Sequence, residues 1–491
     1  MDDAAEKARA DLRNLTWGPD GIPTTEPPGK SDEENAERHL QVRHNLTCRD
    51  FPCSDLGNSF RFTVRKNHQA LYCPSFKSWF IWDGKRWARD IMEKSLEFAK
   101  DVALRIPDEA GVLSGDSAAR VFRWAATSQA RPRIDAMLYL AKSAMAVRPD
   151  DLDAHPHLLN LQNGTLNLKT FELVSPKKKD HLTKLADVSY DPQGECPLWI
   201  SHLNLIFNQD TELIDAFQFV VGYSLLQDNP EQVMFILFGN GKNGKSKTIE
   251  VLVRTLGDYA VNIASESLMT RKYNEGPRGD IARISNARLV SVSEGESGGH
   301  LAESLIKSLT GGDAVTVRRL YENEFEFRPT PKIWMATNHL PVIQGTDDAI
   351  WRRIWLIPFT VQIPEEKRDP DIVTKLLRER SGILNWALNG LKKYREAGRL
   401  VQPEKVKAAT QDYRQDSDIL GEFIQTYCVM SGSIRRGELY RAYESWCDTN
   451  HDKPVSSKRF ITMIRERGIR ETRDVGGNWI WVNLSLRRFG S

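Results

Sequence analysis

Residues 235–250, which read FILFGNGKNGKSKTIE, join an apolar run to a short stretch with three glycines and three lysines. The stretch fits the pattern G-x-x-x-x-G-K-[ST] at Gly239, Gly244, Lys245 and Ser246. Such a loop binds phosphate where it connects a buried strand to the first turn of a helix, because backbone N–H groups must converge on the phosphate oxygens. The sequence therefore predicts an α/β fold with a parallel sheet and a phosphate-binding loop.

The predicted ligand of this loop is ATP with Mg²⁺. We expect the ammonium of Lys245 to reach the β- and γ-phosphates and the hydroxyl of Ser246 to bind the metal. Lys242 and Lys247 are open between a secondary phosphate contact and a solvated side chain. The predicted ATP-binding residues are Gly239, Asn240, Gly241, Lys242, Asn243, Gly244, Lys245, Ser246 and Lys247.

A Mg²⁺–nucleotide site also needs a carboxylate at the end of a neighbouring strand. The apolar run at 288–293 (RLVSVS) predicts such a strand, and Glu294 and Glu296 follow it directly. We predict that Glu294 binds the metal or positions the attacking water, with Glu296 as its partner. Exposed loop carboxylates are the alternative for both residues.

Two further features lie downstream. The run KIWMA at 332–336 predicts a strand that ends beside Asn338, whose amide can orient the lytic water; an asparagine in a plain turn is the alternative. Arg352 and Arg353 precede another apolar run and are candidates for stabilising transition-state charge, in the same subunit or across an interface. A structural salt bridge is the alternative for each arginine.

The chain has 491 residues and a net charge of +2, so any affinity for nucleic acid must come from local patches. No apolar stretch approaches the length of a membrane span, the N-terminus does not read as a signal peptide, and six irregularly spaced cysteines suggest a reducing cytoplasm. The spacing of His44, Cys48, Cys53 and Cys73 matches no standard zinc finger.

Composition and periodicity predict five segments. Residues 1–50 read as a disordered acidic tail, 51–195 as a mixed α/β domain, 196–400 as the ATPase domain with leading helices, 401–417 as a linker and 418–491 as a C-terminal domain. Hairpins are expected at Asp83 and Gly84, at Asn163 and Gly164, and at Gly476 and Gly477.

Several of these motifs together resemble a known family. Residues 293–359 contain the acidic strand end, the element Lys307 to Asp313, the sensor strand and the double arginine in the order found in the superfamily 3 helicase core of phage and plasmid primase–helicases. Poxvirus-type primase–helicases look similar. The segments DLGNSFRF, WFIWDGKRW, LLNLQNGTLNL, ILNWALNGL and WIWVNL extend the resemblance over about 55–484.

The resemblance implies an AAA+-like ATPase core that forms a ring, with a hexamer as the family expectation. It also implies a DNA-gripping hairpin in AVTVRRLYENEFEFR, so we predict DNA contacts at Arg318, Arg319 and Tyr321. Lys307 is expected to contact nucleotide or DNA. An edge hairpin whose arginines pair with glutamates is the alternative. Longer family members carry a primase module, which about fifty polar residues cannot form, so we expect primase or polymerase activity to be absent or supplied by another chain.

The C-terminal segment SSKRFITMIRERGIR predicts a basic helix ahead of the Gly-Gly hairpin. A helix followed by a β-wing is typical of a winged-helix fold, and Lys458 and Arg459 are predicted to contact DNA. A winged helix used only for protein docking remains the alternative.

These features predict an ATP-dependent DNA helicase that serves the replication of a phage, prophage or plasmid in a bacterial cytoplasm and moves on single-stranded or forked DNA. Two rivals share the phosphate loop. One is an origin-binding initiator that uses ATP as an assembly switch, and the other is a small-molecule kinase, which the double arginine disfavours.

Overall fold

The computed structural model describes residues 30–270, 279–293, 299–318, 324–343, 345, 348–450 and 454–487. The chain divides into two compact units, one formed by residues 1–82 and 88–148 and the other by residues 83–87 and 149–491. The division lies at 148–149, whereas composition and periodicity predict a domain boundary at 195–196. The reason is that leucines of 158–168 are buried in the same apolar core as Trp199 and Leu256.

The first unit is a mixed α/β domain. Its core contains Phe62, Ile81, Val102 and Met137. A three-stranded sheet in the order β1-β2-β3 packs with helices whose buried positions face this core. Its elements are α1 (Lys30–Cys48), α2 (Asp55–Lys66), β1 (Ala70–Cys73), β2 (Ser78–Trp82), β3 (Trp87–Arg89), α3 (Lys94–Leu104), α4 (Ile106–Ala110), α5 (Gly115–Ser128) and α6 (Arg131–Ala144).

Helix α1 lies inside the segment that we predicted to be disordered. Its C-terminal end is held by side-chain contacts: Cys48 is buried, and Asn45 Oδ1 accepts a hydrogen bond of 2.7 Å from the buried Arg65. That part of the prediction for 1–50 is therefore wrong, while residues 1–29 lie outside the described ranges. The polar composition of residues 1–50 led to a prediction of disorder, whereas a few buried contacts are enough to stabilise helix α1.

The second unit contains the remaining elements. They are β4 (Leu158–Leu161), β5 (Gly164–Asn167), β6 (Glu172–Val174), α7 (Pro197–Ile206), α8 (Thr211–Tyr223), β7 (Met234–Phe238), α9 (Lys245–Leu256), β8 (Ala260–Ile263), α10 (Gly279–Arg283), β9 (Leu289–Val292), α11 (Glu303–Gly311), β10 (Val315–Arg318), β11 (Glu324–Phe327), β12 (Lys332–Thr337), α12 (Asp348–Trp351), β13 (Ile354–Pro358), α13 (Ile372–Leu376), α14 (Arg380–Ala397), α15 (Glu404–Asp416), α16 (Ile419–Tyr427), β14 (Cys428–Val429), β15 (Ser433–Arg435), α17 (Arg436–Thr449), α18 (Ser457–Glu466), β16 (Glu471–Arg473), β17 (Trp479–Val482) and β18 (Ser485–Leu486). Short 3₁₀ turns occur at Pro149–Asp151, Lys178–Asp180, Gly257–Tyr259, Ser265–Leu268, Glu365–Lys367 and Leu377–Glu379.

A five-stranded parallel sheet in the order β13-β7-β12-β9-β8 is the centre of this unit. Strand β7 alternates between its faces, because Phe235 and Leu237 pack in one apolar core and Met234 and Ile236 in the other. Both faces are therefore covered, as in other all-parallel sheets, and the strands read as continuous apolar runs. The predicted strands before the glycine loop, at 288–293 and at 332–336 are confirmed as β7, β9 and β12.

The segment 401–417, which we predicted as a linker, holds helix α15. Val406 and Tyr413 on this helix are buried, and the hydroxyl of Thr410 accepts a hydrogen bond of 3.0 Å from the backbone N–H of Leu356 in β13. The linker prediction is wrong because two or three apolar anchors suffice to bind an otherwise polar helix to the edge of a sheet.

The C-terminal part contains a three-stranded sheet in the order β15-β17-β16 and a core that includes Leu439, Tyr443, Phe460 and Trp481. Gly477 lies at φ +78° in the turn between β16 and β17, so the predicted Gly-Gly hairpin is confirmed. The hairpins at Gly84 and Gly164 are confirmed in the same way. Across the described ranges, none of the helices combines the length and the apolar character that a membrane span requires.

Candidate nucleotide-binding site

The 239–246 loop leaves the carboxyl end of β7 and enters helix α9, which is the context that the motif requires. Gly239 has no room for a side chain, since a Cβ there would lie 2.1 Å from the carbonyl oxygen of Phe359. Gly244 lies at φ +84°, and a Cβ there would lie 2.6 Å from Cγ2 of Ile206. Both glycines are therefore needed for the path of the backbone.

Lys245 is the first residue of α9, and it is only 2% exposed. Its Nζ donates hydrogen bonds to the Gly239 carbonyl (2.6 Å), to Asn243 Oδ1 (3.2 Å) and to Asn338 Oδ1 (2.9 Å). A buried ammonium requires such acceptors, because an unpaired charge away from water is very costly. These three acceptors are neutral oxygens. Phosphate oxygens of a ligand can take their places around the ammonium.

Asn338 directly follows β12, whose last residue, Thr337, pairs with Phe238 of β7 in the parallel register. Strand β12 lies between β7 and β9, so its end is next to the loop on one side and next to Val292, the last residue of β9, on the other. The structure therefore brings Lys245 and Asn338 together, as their predicted roles require.

The remaining loop residues divide into exposed and buried side chains. Asn240, Lys242, Ser246 and Lys247 are exposed, whereas Asn243 is 3% exposed. Lys247 Nζ lies 3.7 Å from a carboxylate oxygen of Glu250. The Ser246 hydroxyl is thus accessible in the first turn of α9, where a Mg²⁺ ligand is expected.

Asn243 has a second function that its position in the motif does not indicate. Its Nδ2 donates to the carbonyl of Phe359 (3.2 Å), while its Oδ1 accepts from Lys245. The residue thereby connects the lysine to the chain that leaves β13. Gly239 lies against the same carbonyl, so the loop is fitted closely to this part of the chain.

His202 on α7 is a site residue that the sequence reasoning missed. Its Nε2 lies 2.9 Å from the Thr248 hydroxyl, which in turn donates to the Gly244 carbonyl (2.9 Å). Burial lowers the pKa of His202 to about 4, so the ring is neutral at physiological pH. The ring supports the junction of the loop and α9, and only its place on an apolar helix could have drawn attention to it.

Several predicted residues lie outside the described ranges. They are Glu294, Glu296, Arg319 and Tyr321. The described part of the predicted hairpin is the antiparallel pair of β10 and β11, in which the backbone of Arg318 lies opposite that of Glu324 in the strand register.

The two adjacent arginines occupy different environments. Arg352 is exposed, whereas Arg353 is 7% exposed. The guanidinium of Arg353 donates to Thr310 Oγ1 (3.1 Å) and to Gln232 Oε1 (3.0 Å), and it also bonds the Ala349 carbonyl. Arg353 thus serves the packing of its own subunit through these buried contacts.

The other predicted DNA contacts are distant from this loop in the chain. Lys307 lies on α11 and is half-buried. Lys458 is exposed on α18, and Arg459 on the same helix forms an ion pair with Glu466 at 3.6 Å. In the described part of the chain, no group of three or more His, Cys, Asp and Glu residues is arranged to hold a metal ion.

Two known domain families match the chain. Residues 61–208 match the family described as D5 N terminal like, and residues 237–353 match a family of unknown function, DUF5906. The second match begins in β7 and contains the predicted site residues from Gly239 to Arg353. Together with the curated relatives, these matches confirm the resemblance to primase–helicases that was predicted from the motifs.

Curated relatives include viral proteins. The chain is 25% identical over 343 residues to "Putative helicase L207/L206" of Acanthamoeba polyphaga mimivirus, 28% identical over 249 residues to "Putative helicase 022R" of Frog virus 3, and 24% identical over 339 residues to "Putative primase C962R" of African swine fever virus. These matches cover 65%, 45% and 64% of this chain and 36%, 25% and 35% of the respective relatives, so the chain spans about a third of their length. They come from viruses of eukaryotes and do not support the bacterial host that we predicted.

Among solved structures, the chain is similar to the C-terminal region of NrS-1. One apo structure of that region shows 14% identity and a TM-score of 0.39, with 60% of this chain and 78% of that chain covered. A second apo form shows 16% identity and a TM-score of 0.36 over the same shares of the two chains.

Proposed function

We propose that this chain is an ATP-driven DNA helicase that acts in replication. The observation that carries the proposal is the buried Lys245, whose ammonium joins the glycine loop to Asn338 at the carboxyl edge of a parallel sheet. Ligands of open α/β sheets bind at this edge. The viral relatives that are named as helicases and primases support the same class of activity.

In this proposal ATP lies along the 239–246 loop. The β- and γ-phosphates would take over the contacts that Lys245 now makes with neutral oxygens, and the N-terminus of α9 would add its positive end. The residues fit Mg²⁺ as well: Ser246 presents an exposed hydroxyl, and Glu294 follows two residues after the end of β9. The metal, when bound, would neutralise charge on the phosphates.

The chain's own residues would then divide the work of hydrolysis. Asn338 would orient the attacking water, and Glu294 would polarise it, with Glu296 as a second carboxylate. We assign the contact with developing phosphate charge to Arg352 of a neighbouring subunit, since its side chain is exposed and that of Arg353 is used within the fold. This assignment requires a ring or another closed oligomer; six subunits are expected from the family.

DNA would be gripped by the hairpin of β10 and β11, which is the element predicted from the sequence for this task. Its proposed contacts are Arg318, Arg319 and Tyr321, with Lys307 nearby in the chain. Arginines would bind the phosphates, and the tyrosine would stack on a base without reading sequence. Hydrolysis at the subunit interface would move this hairpin along the strand.

The test is a strand-displacement assay on a forked duplex with ATP, in which Lys245→Ala is compared with Arg254→Ala. Both residues lie on α9, but Arg254 is at the far end of the helix and pairs with Glu250 at 2.6 Å. We expect Lys245→Ala to lose ATP hydrolysis and unwinding and Arg254→Ala to keep both. Unwinding retained in Lys245→Ala would refute the proposal.

A separate test addresses the hairpin. We expect Arg319→Ala to weaken binding to single-stranded DNA and to leave ATPase activity without DNA unchanged. Equal DNA affinity of this variant and the parent would remove the hairpin from the proposal without affecting the assignment of the ATP site.

A further inference from the structure

The hairpin of β16 and β17 presents a tryptophan between two arginines. Trp479 is 42% exposed, although it lies on the middle strand of the three-stranded sheet. The guanidinium carbon of Arg473, its register partner on β16, is 5.0 Å from the indole centroid. That of Arg436, which follows β15 on the other side, is 5.5 Å away. The ring thus holds two guanidinium groups near the surface.

This cluster has an excess of positive charge. Arg435 pairs with Asp474 at 3.5 Å, and Arg436 and Arg465 share Glu471. Arg435, Arg436 and Arg473 thus meet Asp474 and a Glu471 that is also shared with Arg465, so positive charge is in excess. Because the whole chain of 491 residues has a net charge of only +2, this excess forms a local basic patch.

The arginines on helix α18 and directly after it, in contrast, are each paired with a carboxylate, while Lys458 is exposed. Arg459 pairs with Glu466, Arg465 with Glu471 and Arg467 with Asp418. Arg473 has the ring of Trp479 as its side-chain contact, and within the described ranges it forms no ion pair. The guanidinium available to an anionic partner is therefore on the hairpin rather than on the helix.

We propose that the cluster of Arg473, Trp479, Arg436 and Arg435 binds the sugar–phosphate backbone of duplex DNA without reading its sequence. An arginine stacked on an aromatic ring keeps its in-plane N–H donors directed outward, and it loses little side-chain entropy when it binds phosphate. Duplex DNA offers one negative charge per about 1.7 Å of its axis, so neighbouring arginines can bind neighbouring phosphates. This contact deepens the proposed function, since it assumes that DNA is the partner, but it does not require ATP.

The order of elements from α16 to β17 supports the same use. Disregarding the two-residue strand β14, the chain runs helix, strand, helix, helix, strand, strand, with the cluster on the final hairpin. This is the order expected of a winged helix, in which the hairpin is the wing. A wing that carries arginines beside the helix would contact the backbone next to the groove.

The test is fluorescence anisotropy of the full-length chain with a labelled duplex of arbitrary sequence, without nucleotide, at several salt concentrations. For Arg473→Ala we expect several-fold weaker binding and a decrease of about 1 in the slope of log K against log salt. Arg473→Lys should recover the slope but only part of the affinity, since it keeps the charge and loses the planar stacking. Trp479→Leu should weaken binding while the charge is unchanged.

The matched control is Arg441→Ala. Arg441 is an exposed arginine of the same C-terminal part, and its Nε donates to the Gly437 carbonyl. We expect it to bind as the parent does. Equal duplex affinity and equal salt slope of Arg473→Ala and the parent would refute the proposal. This surface would then be assigned to binding a protein partner.

The two proposals fail separately. Lys245→Ala should keep binding that depends on Arg473, even where ATPase activity is lost. A chain that hydrolyses ATP and unwinds DNA but shows no effect of Arg473 would overturn the inference about the hairpin alone.

Discussion

The ammonium of Lys245 lies 2.9 Å from Oδ1 of Asn338, although 93 residues separate them in the chain. The contact joins the start of helix α9 to the end of β12 across two neighbouring parallel strands. A phosphate bound to the lysine, as proposed, would therefore compete directly with the amide. In the proposed function, nucleotide binding would change the partners of Asn338, so this residue would respond to the bound phosphate.

Substitution of Asn338 should separate ATP binding from hydrolysis. Asn338→Ala removes an acceptor of Lys245 and the amide that would orient water, so we expect ATP to bind and hydrolysis to fall by about a hundredfold. Asn338→Asp places a carboxylate beside the ammonium, and its charge should weaken ATP binding as well. Equilibrium binding of a fluorescent ATP analogue, together with single-turnover hydrolysis, would distinguish the two. Normal hydrolysis in Asn338→Ala would exclude this role.

Glycine substitutions should report how closely the loop is fitted. At Gly239 a methyl group would lie 2.1 Å from the Phe359 carbonyl, so Gly239→Ala must displace backbone and should abolish ATP binding. At Gly241 no atom of the described residues beyond its chain neighbours lies within 4 Å of the added Cβ, and the φ of +84° is the unfavourable feature. Gly241→Ala should therefore cost about 1 kcal/mol and retain binding. Isothermal titration with ATP would measure the contrast, and equal losses in both variants would contradict it.

The buried His202 should make stability depend on pH. Its pKa is lowered from 6.5 to about 4 by burial, so the unfolded chain binds a proton at a pH where the folded chain does not. The free energy of unfolding should therefore fall as the pH is lowered from about 6.5 to 4. His202→Gln can still bond Thr248 but cannot titrate, and it should show a smaller decrease.

Thermal unfolding across this pH range would measure the difference between the two proteins. His44, whose pKa burial also lowers to about 4, is present in both and contributes equally. Parallel pH profiles for the parent and His202→Gln would show that His202 does not contribute to the dependence.

The adjacent arginines should give opposite results. Arg353→Ala leaves Thr310 and Gln232 without their buried donor, and we expect a loss of about 2–4 kcal/mol in the free energy of unfolding. Arg352→Ala should leave stability unchanged, because the side chain is exposed. If Arg352 acts across a subunit interface, its substitution should lower ATPase activity only at protein concentrations where the parent is assembled.

Denaturant unfolding and ATPase assays over a range of protein concentrations would measure both effects. Mixing Arg352→Ala with Lys245→Ala offers a further test, since each variant supplies the part that the other lacks. Recovery of activity in the mixture would support a shared site. An Arg352→Ala variant with normal ATPase activity at every concentration would exclude this arginine.

Local patterns were sufficient to predict much of this chain. The loop motif, the apolar runs that became β7, β9 and β12, and the glycine turns of three hairpins each depend on a few neighbouring residues. A glycine that must adopt positive φ, or a strand that is buried on both faces, can be recognised from a sequence pattern of fewer than ten residues. The sequence pattern of helix α15 is weaker, because its few buried apolar residues are scattered among polar ones. The segment was therefore predicted to be a linker.

The sequence by itself thus determined the type of β7, β9 and β12 and the position of the glycine loop between β7 and α9. Tertiary structure alone decided which residues meet there: that Asn338 lies beside Lys245, that His202 supports Thr248 from 46 residues away, and that Arg353 is buried while Arg352 is exposed. The physical reason is that these contacts depend on strand order and helix packing. Strand order and helix packing depend on many residues that are far apart in the chain. A short sequence motif therefore cannot predict these contacts.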